Sequence, residues 1–277
     1  MELEYFLLTV LFFLIGLILG SFFNVLIYRV PEGKSIVLPG SYCPNCKRPI
    51  RMIENIPVLS YIFLGGKCAG CKGKISLQYP IVECITAVAA MTLWHTLINP
   101  FTLQAHAWWE YVHLALQFVT LLILIPVSVI DYYHYIIPDS ITLSGLIIGI
   151  AVSFIPGGIT PLQMGIGILA GGGVLVFIGL FGEYILRKPD AMGGGDIKLM
   201  AFIGAVWGWK IAIPAIILGA LFGSVIGVLL MAVRILPKDH RIPFGPFLAA
   251  GVWVAFLLGE TLMQAYFNFI ESIVVGY

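Results

Sequence analysis

Two acids and four cysteines stand where membrane sequence ordinarily has neither. Asp196 follows three glycines in Met192-Gly193-Gly194-Gly195-Asp196-Ile197-Lys198 and opens an apolar run. An ionised carboxylate beside hydrocarbon is expensive, so an acid at the end of a membrane helix marks a functional-site hypothesis. Gly193 and Gly195, lacking Cβ atoms, let another backbone come close, either as a cleft for an extended peptide or as a hinge for Asp196. A second acid, Asp131, ends the apolar run before Tyr132-Tyr133-His134. It has no capping role there, because a helix C-terminus is electrostatically unfavourable for an anion. Two carboxyls sharing a proton and a water can hydrolyse an amide, one activating the water while the other polarises the carbonyl. Proton-coupled transporters also use intramembrane acids, and the spacing alone does not choose between the two. Asp139, after Pro138, reads as the N-cap of the next helix. His134 reads as an interfacial residue among tyrosines, and no histidine is assigned a role.

The cysteines form two knuckles, Cys43-Pro44-Asn45-Cys46 and Cys68-Ala69-Gly70-Cys71. This spacing suits four-thiolate zinc, a closed structural site. The knuckles lie in the one soluble-looking stretch, residues 29–79, which predicts a short ribbon with little core, held by the metal. Cys84, outside the knuckles, reads as a small buried apolar residue.

The elements that must carry these groups follow from composition. Of 277 residues, 60% are hydrophobic and only 10% charged, which excludes an ordinary soluble domain. The chain reads as an all-α polytopic membrane protein. Its net charge of +1 gives no ground for a nucleic-acid partner, and none is expected. Eight candidate spans are read at roughly 5–28, 80–98, 113–130, 140–156, 163–186, 198–209, 211–233 and 246–270, the sixth too short to cross alone. The first is read as a retained helix and not a removed signal peptide. Three parts result: a first helix at 1–28, the cysteine segment at 29–79 and a membrane domain at 80–277. Lys and Arg concentrate between spans 1 and 2, at Arg187, Lys188 and Lys198, and at Arg234, Lys238 and Arg241. With eight spans these connections share one side, which the positive-inside rule makes cytoplasmic, together with Asp131, Asp139, Asp190 and Asp196.

Gly193-Gly194-Gly195-Asp196 resembles the G-x-G-D motif of intramembrane aspartyl proteases, and the surrounding motifs resemble bacterial prepilin peptidases, the bifunctional leader peptidase/N-methyltransferases. Those motifs are Gly20-Ser21-Phe22-Phe23-Asn24-Val25-Leu26-Ile27-Tyr28-Arg29-Val30-Pro31, the two knuckles enclosing Glu54-Asn55-Ile56-Pro57, the following Gln78-Tyr79-Pro80-Ile81-Val82-Glu83, Asp131 with Ile137-Pro138-Asp139, and Pro243-Phe244-Gly245-Pro246-Phe247. Together they cover nearly the whole chain.

The resemblance implies a multi-pass protein of the bacterial inner membrane that cuts the basic leader from type IV prepilins or type II secretion pseudopilins after a glycine. Asp131 and Asp196 would be the catalytic pair, and the new N-terminus would be methylated with S-adenosylmethionine. No strand and glycine-rich turn of the Rossmann kind is present, so that donor would bind beside the zinc segment. Glu54 and Glu83 are the acids suited to orienting an ammonium there. Lys198 would compensate charge, anchor a lipid phosphate, or serve only as one more positive-inside residue. Residues 243–247 would cap the site or simply start the last helix. The family pattern leads one to expect basic residues where this chain has Gly65 and Ala69. A preflagellin-type peptidase, which generally lacks the cysteines, and an ion-coupled transporter are the alternatives.

Overall fold

The computed structural model describes residues 2–98, 107–185, 187, 192–233 and 242–274, the side chains of residues 260 and 262–274 excepted. Lys188, Asp190, Arg234, Lys238 and Arg241, part of the orientation expectation, lie outside the described residues. The chain divides into two compact units, Met1–Ala107 with Leu122–Ile130, and Trp108–Leu121 with Asp131–Tyr277. Among the described residues there are helices and two isolated β-bridges but no named strand.

In the first unit, α1 (Glu2–Arg29) and α3 (Gln78–Leu93, prolonged by the π-helical turn Trp94–Ile98) pack side by side and run antiparallel. Gly16 and Gly20, four residues apart and so on one face of α1, make this possible. A Cβ on Gly16 would lie 2.5 Å from the Ala87 Cα, and one on Gly20 2.6 Å from the Glu83 Cα. The two backbones therefore touch directly, and Glu83 is brought against α1. Between these helices run a 3-10 turn, Met52–Asn55, the short α2 (Leu59–Phe63) and the cysteine knuckles. Tyr42 pairs with Pro49 around one knuckle and Lys67 with Lys74 around the other. The expected ribbon is thus reduced to one bridge per knuckle. Cys84 is exposed on α3, contrary to the buried position expected of it.

The second unit is organised around one short helix that its neighbours surround. It contains the ends of α4 (Trp108–His134), then α5 (Asp139–Val152), α6 (Pro161–Ile168), a π-helical turn (Leu169–Gly173), α7 (Val174–Tyr184), α8 (Gly194–Trp207), α9 (Trp209–Ala232) and α10 (Gly245–Val274). Thr160 starts α6 by accepting the Gln163 N–H, while the Gln163 side chain accepts the Thr160 N–H, a reciprocal cap followed by Pro161. Helix α8 stops at Gly208, whose φ of 72° turns the chain directly into α9. Residues 199–206 of α8 are all buried, which suits a helix apolar all round with neighbours on every side. Those neighbours are α5, α6, the π turn, α7, α9 and α10.

Among the described residues five helical stretches are long and apolar enough to cross a membrane: Glu2–Arg29, Gln78–Ile98, Trp108–His134, Pro161–Tyr184 and Trp209–Ala232. Helices stand near the eight expected places, but eight membrane spans are not borne out: α5 and α8 have only 14 residues each. At 1.5 Å per residue they rise about 21 Å, less than the ~30 Å of hydrocarbon. A short helix at membrane depth persists where protein surrounds it, as α8 is surrounded.

The closest approach in this unit lies between α8 and α6, where a Cβ on Gly204 would sit 2.0 Å from the Gly167 carbonyl oxygen. Gly204→Val is expected to destabilise the protein by about 1–3 kcal/mol through overpacking. Gly165→Val, where an added Cβ meets nothing within 4 Å, should melt like the parent in a detergent thermal-unfolding assay.

Candidate functional site

The second unit brings the two acids together. Asp131 occupies the last turn of α4, which continues to His134, and Asp196 the third residue of α8. Both are buried, at 6% and 9% exposure, in a chain whose surface is largely apolar. Both acids pack around Ile137, and Asp131 is near enough to act on Asp196 electrostatically. The Asp131 Oδ2 accepts a 2.9 Å hydrogen bond from the backbone N–H of Gly245, the first residue of α10. That contact requires a glycine, since a Cβ there would lie 2.6 Å from the same oxygen. Residues 243–247 thus start a helix and reach the site at once. Gly193 is the N-cap of α8, and the Asp196 carboxylate folds back toward it, so that a Cβ on Gly193 would sit 2.6 Å from Asp196 Oδ2. In the first turn of α8 this carboxyl faces the positive end of the helix dipole.

Ile137 joins the pieces. It is 8% exposed, and a Cβ on Gly195 would lie 2.9 Å from the Ile137 Cβ, while one on Gly245 would lie 3.2 Å from its Cδ1. One apolar side chain therefore wedges between the backbone preceding Asp196 and the backbone that holds Asp131. The close approach expected at Gly195 is to Ile137, within the protein.

Asp139 stands otherwise than expected, and Lys198 pairs with it. The N-cap of α5 is Pro138, and Asp139, its first helical residue, takes both oxygens to Lys198 Nζ at 2.7 and 2.8 Å. Lys198 thus ties α8 to the start of α5. Both side chains are about half exposed, so the pair adds little stability and acts chiefly in register.

The first unit holds the metal-ligand set. The thiol sulfurs of Cys43, Cys46, Cys68 and Cys71 lie within 4.8 Å of one another, with Cys43 and Cys71 3.9 Å apart. Tetrahedral thiolates about 2.3 Å from a zinc ion would be separated by about 3.8 Å, so the cluster fits that metal. The knuckles repeat each other locally. Cys43 N–H donates to the Arg48 carbonyl and Cys68 N–H to that of Gly73; Lys47 and Lys72, each following a second cysteine, both have φ of 58°. The Cys68 thiol is pulled down to about 6, chiefly by the backbone N–H groups of Cys71 and Gly70, whereas Cys71, despite the Gly73 N–H, is pushed up to about 11 by burial and the neighbouring thiols.

A cavity of about 320 Å³ lies against the knuckles, with Cys43, Cys68, Tyr61, Tyr79, Glu54 and Glu83 in its walls. Glu54 is engaged by the Arg48 guanidinium and accepts the Arg51 N–H; these hold its carboxyl below the usual range. Glu83 is 7% exposed, and its Oε2 accepts the Val58 N–H at 2.8 Å. Val58 carries a φ of 61°, a strained conformation for a β-branched residue. Such strain collects where a structure aims a group at a functional site.

Sequence reasoning located both acids, the four cysteines and Glu83. It did not find the Gly245 N–H, although the motif containing it was visible, nor Ile137 and Val58, whose types carry no chemical signal.

Comparison with known proteins bears on both units. Residues 14–97 match the bacterial peptidase A24 N-terminal domain, and residues 118–228 match the type IV leader peptidase family. A prepilin leader peptidase/N-methyltransferase of Pseudomonas aeruginosa is 34% identical over 92% of each chain. Proteins of that name from Aeromonas hydrophila and Myxococcus xanthus are 34% and 35% identical, the second over 80% of this chain and 63% of its own length. No solved structure matches.

Elemental analysis of protein purified under reducing, chelator-free conditions should give about one zinc per chain, as four-thiolate ligation requires. Cys43→Ser is expected to lose most of that metal.

Proposed function

This chain belongs to the type IV leader peptidase family, and from that premise we propose that it is a membrane aspartyl peptidase that removes the leader from prepilins or pseudopilins and then methylates the exposed amine. The observation that carries the peptidase reading is the burial of Asp131 and Asp196 around Ile137, with Asp131 near enough to act on Asp196 and beside a backbone N–H donor. Two carboxyls so placed can divide the work of amide hydrolysis. The ionised member takes a proton from water, whose oxygen attacks the scissile carbonyl carbon. The protonated member gives its proton to the carbonyl oxygen. Collapse of the tetrahedral intermediate breaks the C–N bond, and a proton passes to the departing amine. In this reading Gly245 orients the Asp131 carboxylate, and Ile137 keeps both acid-bearing backbones in register. Lys198, being paired to Asp139, acts on the site through the start of α5 and not on a substrate.

The substrate in this reading is a membrane helix with a basic leader, cut on the cytoplasmic face of the inner membrane, where the concentration of Lys and Arg puts the acids. The methyl-transfer activity is assigned to the cavity beside the cysteine knuckles. The four cysteines would hold zinc as a structural ion, fixing walls that have little core of their own. S-adenosylmethionine, when bound, would supply an electrophilic methyl group to the amine. Glu83, anchored by Val58, is the wall carboxylate suited to hold the substrate amine, whereas Glu54 is committed to Arg48.

Three outcomes test these assignments by mass spectrometry of a prepilin incubated with the purified protein. Asp131→Asn and Asp196→Asn should each abolish cleavage, and cleavage by either variant overturns the dyad. Gly245→Ala, which presses a methyl group onto Asp131, should lower kcat by about a hundredfold, as expected for a small misplacement of a reacting group. Glu83→Gln should lower the ratio of methylated to unmethylated mature product.

A further inference from the structure

The short helix α2 is built inside out. Leu59, Ile62 and Phe63 stand three and four positions apart, so on one face, and all are exposed, Phe63 at 84%. Ser60, Tyr61 and Leu64 turn the other way and line the cavity beside the knuckles. The 3-10 turn Met52–Asn55, which lies against α2, repeats the arrangement. Met52 is 92% exposed and Ile53 79%, while Glu54 and Asn55 line the cavity. Covering one such apolar side chain is worth about 1.5–3 kcal/mol, so in water this orientation is unfavourable. Five large apolar side chains on two touching elements form a patch, the mark of an interaction surface, and not a scatter of single residues.

The level of this patch along α1 says what covers it. The backbones of Gly20 and Glu83 touch, and the Glu83 carboxylate accepts the Val58 N–H, so the chain between the 3-10 turn and α2 stands within one side-chain length of Gly20. Gly20 precedes Arg29, the end of α1, by nine residues, a rise of about 13 Å. The apolar run that ends at Tyr28 is just long enough to cross about 30 Å of hydrocarbon, which leaves Arg29 at headgroup level and Gly20 well inside. A groove of about 480 Å³ joins the two parts, with Ile18, Phe22 and Val25 of α1 in its walls beside Met52, Ile56 and Pro57. Ile18 and Phe22 are themselves exposed on this spanning helix. The patch therefore continues the bare apolar side of α1 at a depth where lipid, not water, is the neighbour. The charges agree. Arg51 stands immediately before Met52 and Lys67 shortly after α2, both exposed, and the one acid between them, Glu54, is engaged by Arg48.

We propose that residues 52–63 form an interfacial membrane anchor: Met52, Ile53, Leu59, Ile62 and Phe63 lie in the leaflet that surrounds the C-terminal end of α1, with Arg51 and Lys67 on anionic headgroups. An apolar face sunk about 5–10 Å and flanked by cations is how a monotopic helix holds to an anionic leaflet. Helix α2 is then both a wall of the cavity and the contact of the cysteine segment with lipid.

The test uses the full chain in lipid nanodiscs holding one copy each, with a fluorescent amino acid placed in turn at Phe63, at Met52 and, for comparison, at Glu32, which lies beyond the end of α1. Lipids brominated high on the acyl chain should quench the probes at 63 and 52 severalfold more than the probe at 32, and aqueous iodide should do the reverse. Two sites on separate elements keep the result independent of either substitution. Strong iodide quenching at 63 and 52 overturns the proposal, because the patch then faces water. Protection from both quenchers overturns it as well, because protein then covers the patch. Replacing Arg51 and Lys67 together by Glu should weaken bromolipid quenching at 63 in discs of anionic lipid and leave it unchanged in zwitterionic discs. An equal effect in both kinds of disc, or none in either, overturns the headgroup contact.

Discussion

The hydrogen bond from the Gly245 backbone to Asp131 exposes the constraint on which the second unit is built. A carboxylate removed from water loses several kcal/mol of hydration even after local relaxation, and only protein dipoles close enough to replace water can offset it. Reaching that distance requires a backbone with no Cβ in the way, which is why Gly245 stands at the start of α10. Asp196 lies buried in the first turn of α8, its carboxylate folded back toward Gly193.

The same economy of side chains governs the packing around α8. Where a soluble protein would interdigitate large side chains, the glycines of α6 and α8 let carbonyl and Cα atoms meet. In hydrocarbon there is little hydrophobic gain from bringing helices together, so close van der Waals contact and a few polar ties must hold them. Asp139 with Lys198 is one such tie, at the solvent-accessible edge. Ile137 is the apolar counterpart, one side chain filling the space between two backbones that bear the site.

The first unit solves another problem. Residues 30–77 contain two bridges, one 3-10 turn and a five-residue helix, too little regular structure to bury a core of its own. In place of such a core, four cysteines stand close enough together to share one metal ion, and they form part of one wall of the cavity. Another part of the wall is made by Tyr79 and Glu83 of α3, which Gly16 and Gly20 join so closely to α1 that the backbones touch. Val58 carries the cost in backbone strain, pointing its N–H at Glu83.

Sequence by itself determined the membrane class, the positions of the helices, the cysteine set and the two acids. Each of these is written in residue type and spacing: long apolar runs, paired Cys-x-x-Cys, and carboxyls at the ends of apolar runs where hydrocarbon makes them costly. It misplaced what depends on partners. Asp139 looked like an N-cap because the residue after a proline often is one, yet Lys198, 59 positions on, claims both its oxygens. Cys84 looked buried because cysteines usually are, but only the packing of α3 decides which of its faces meets protein. Only the tertiary structure decided that a backbone N–H from α10 reaches Asp131, that Ile137 separates two glycines, and that the apolar face of α2 turns outward. These are properties of the distance between atoms remote in the chain, and neither composition nor periodicity encodes such a distance.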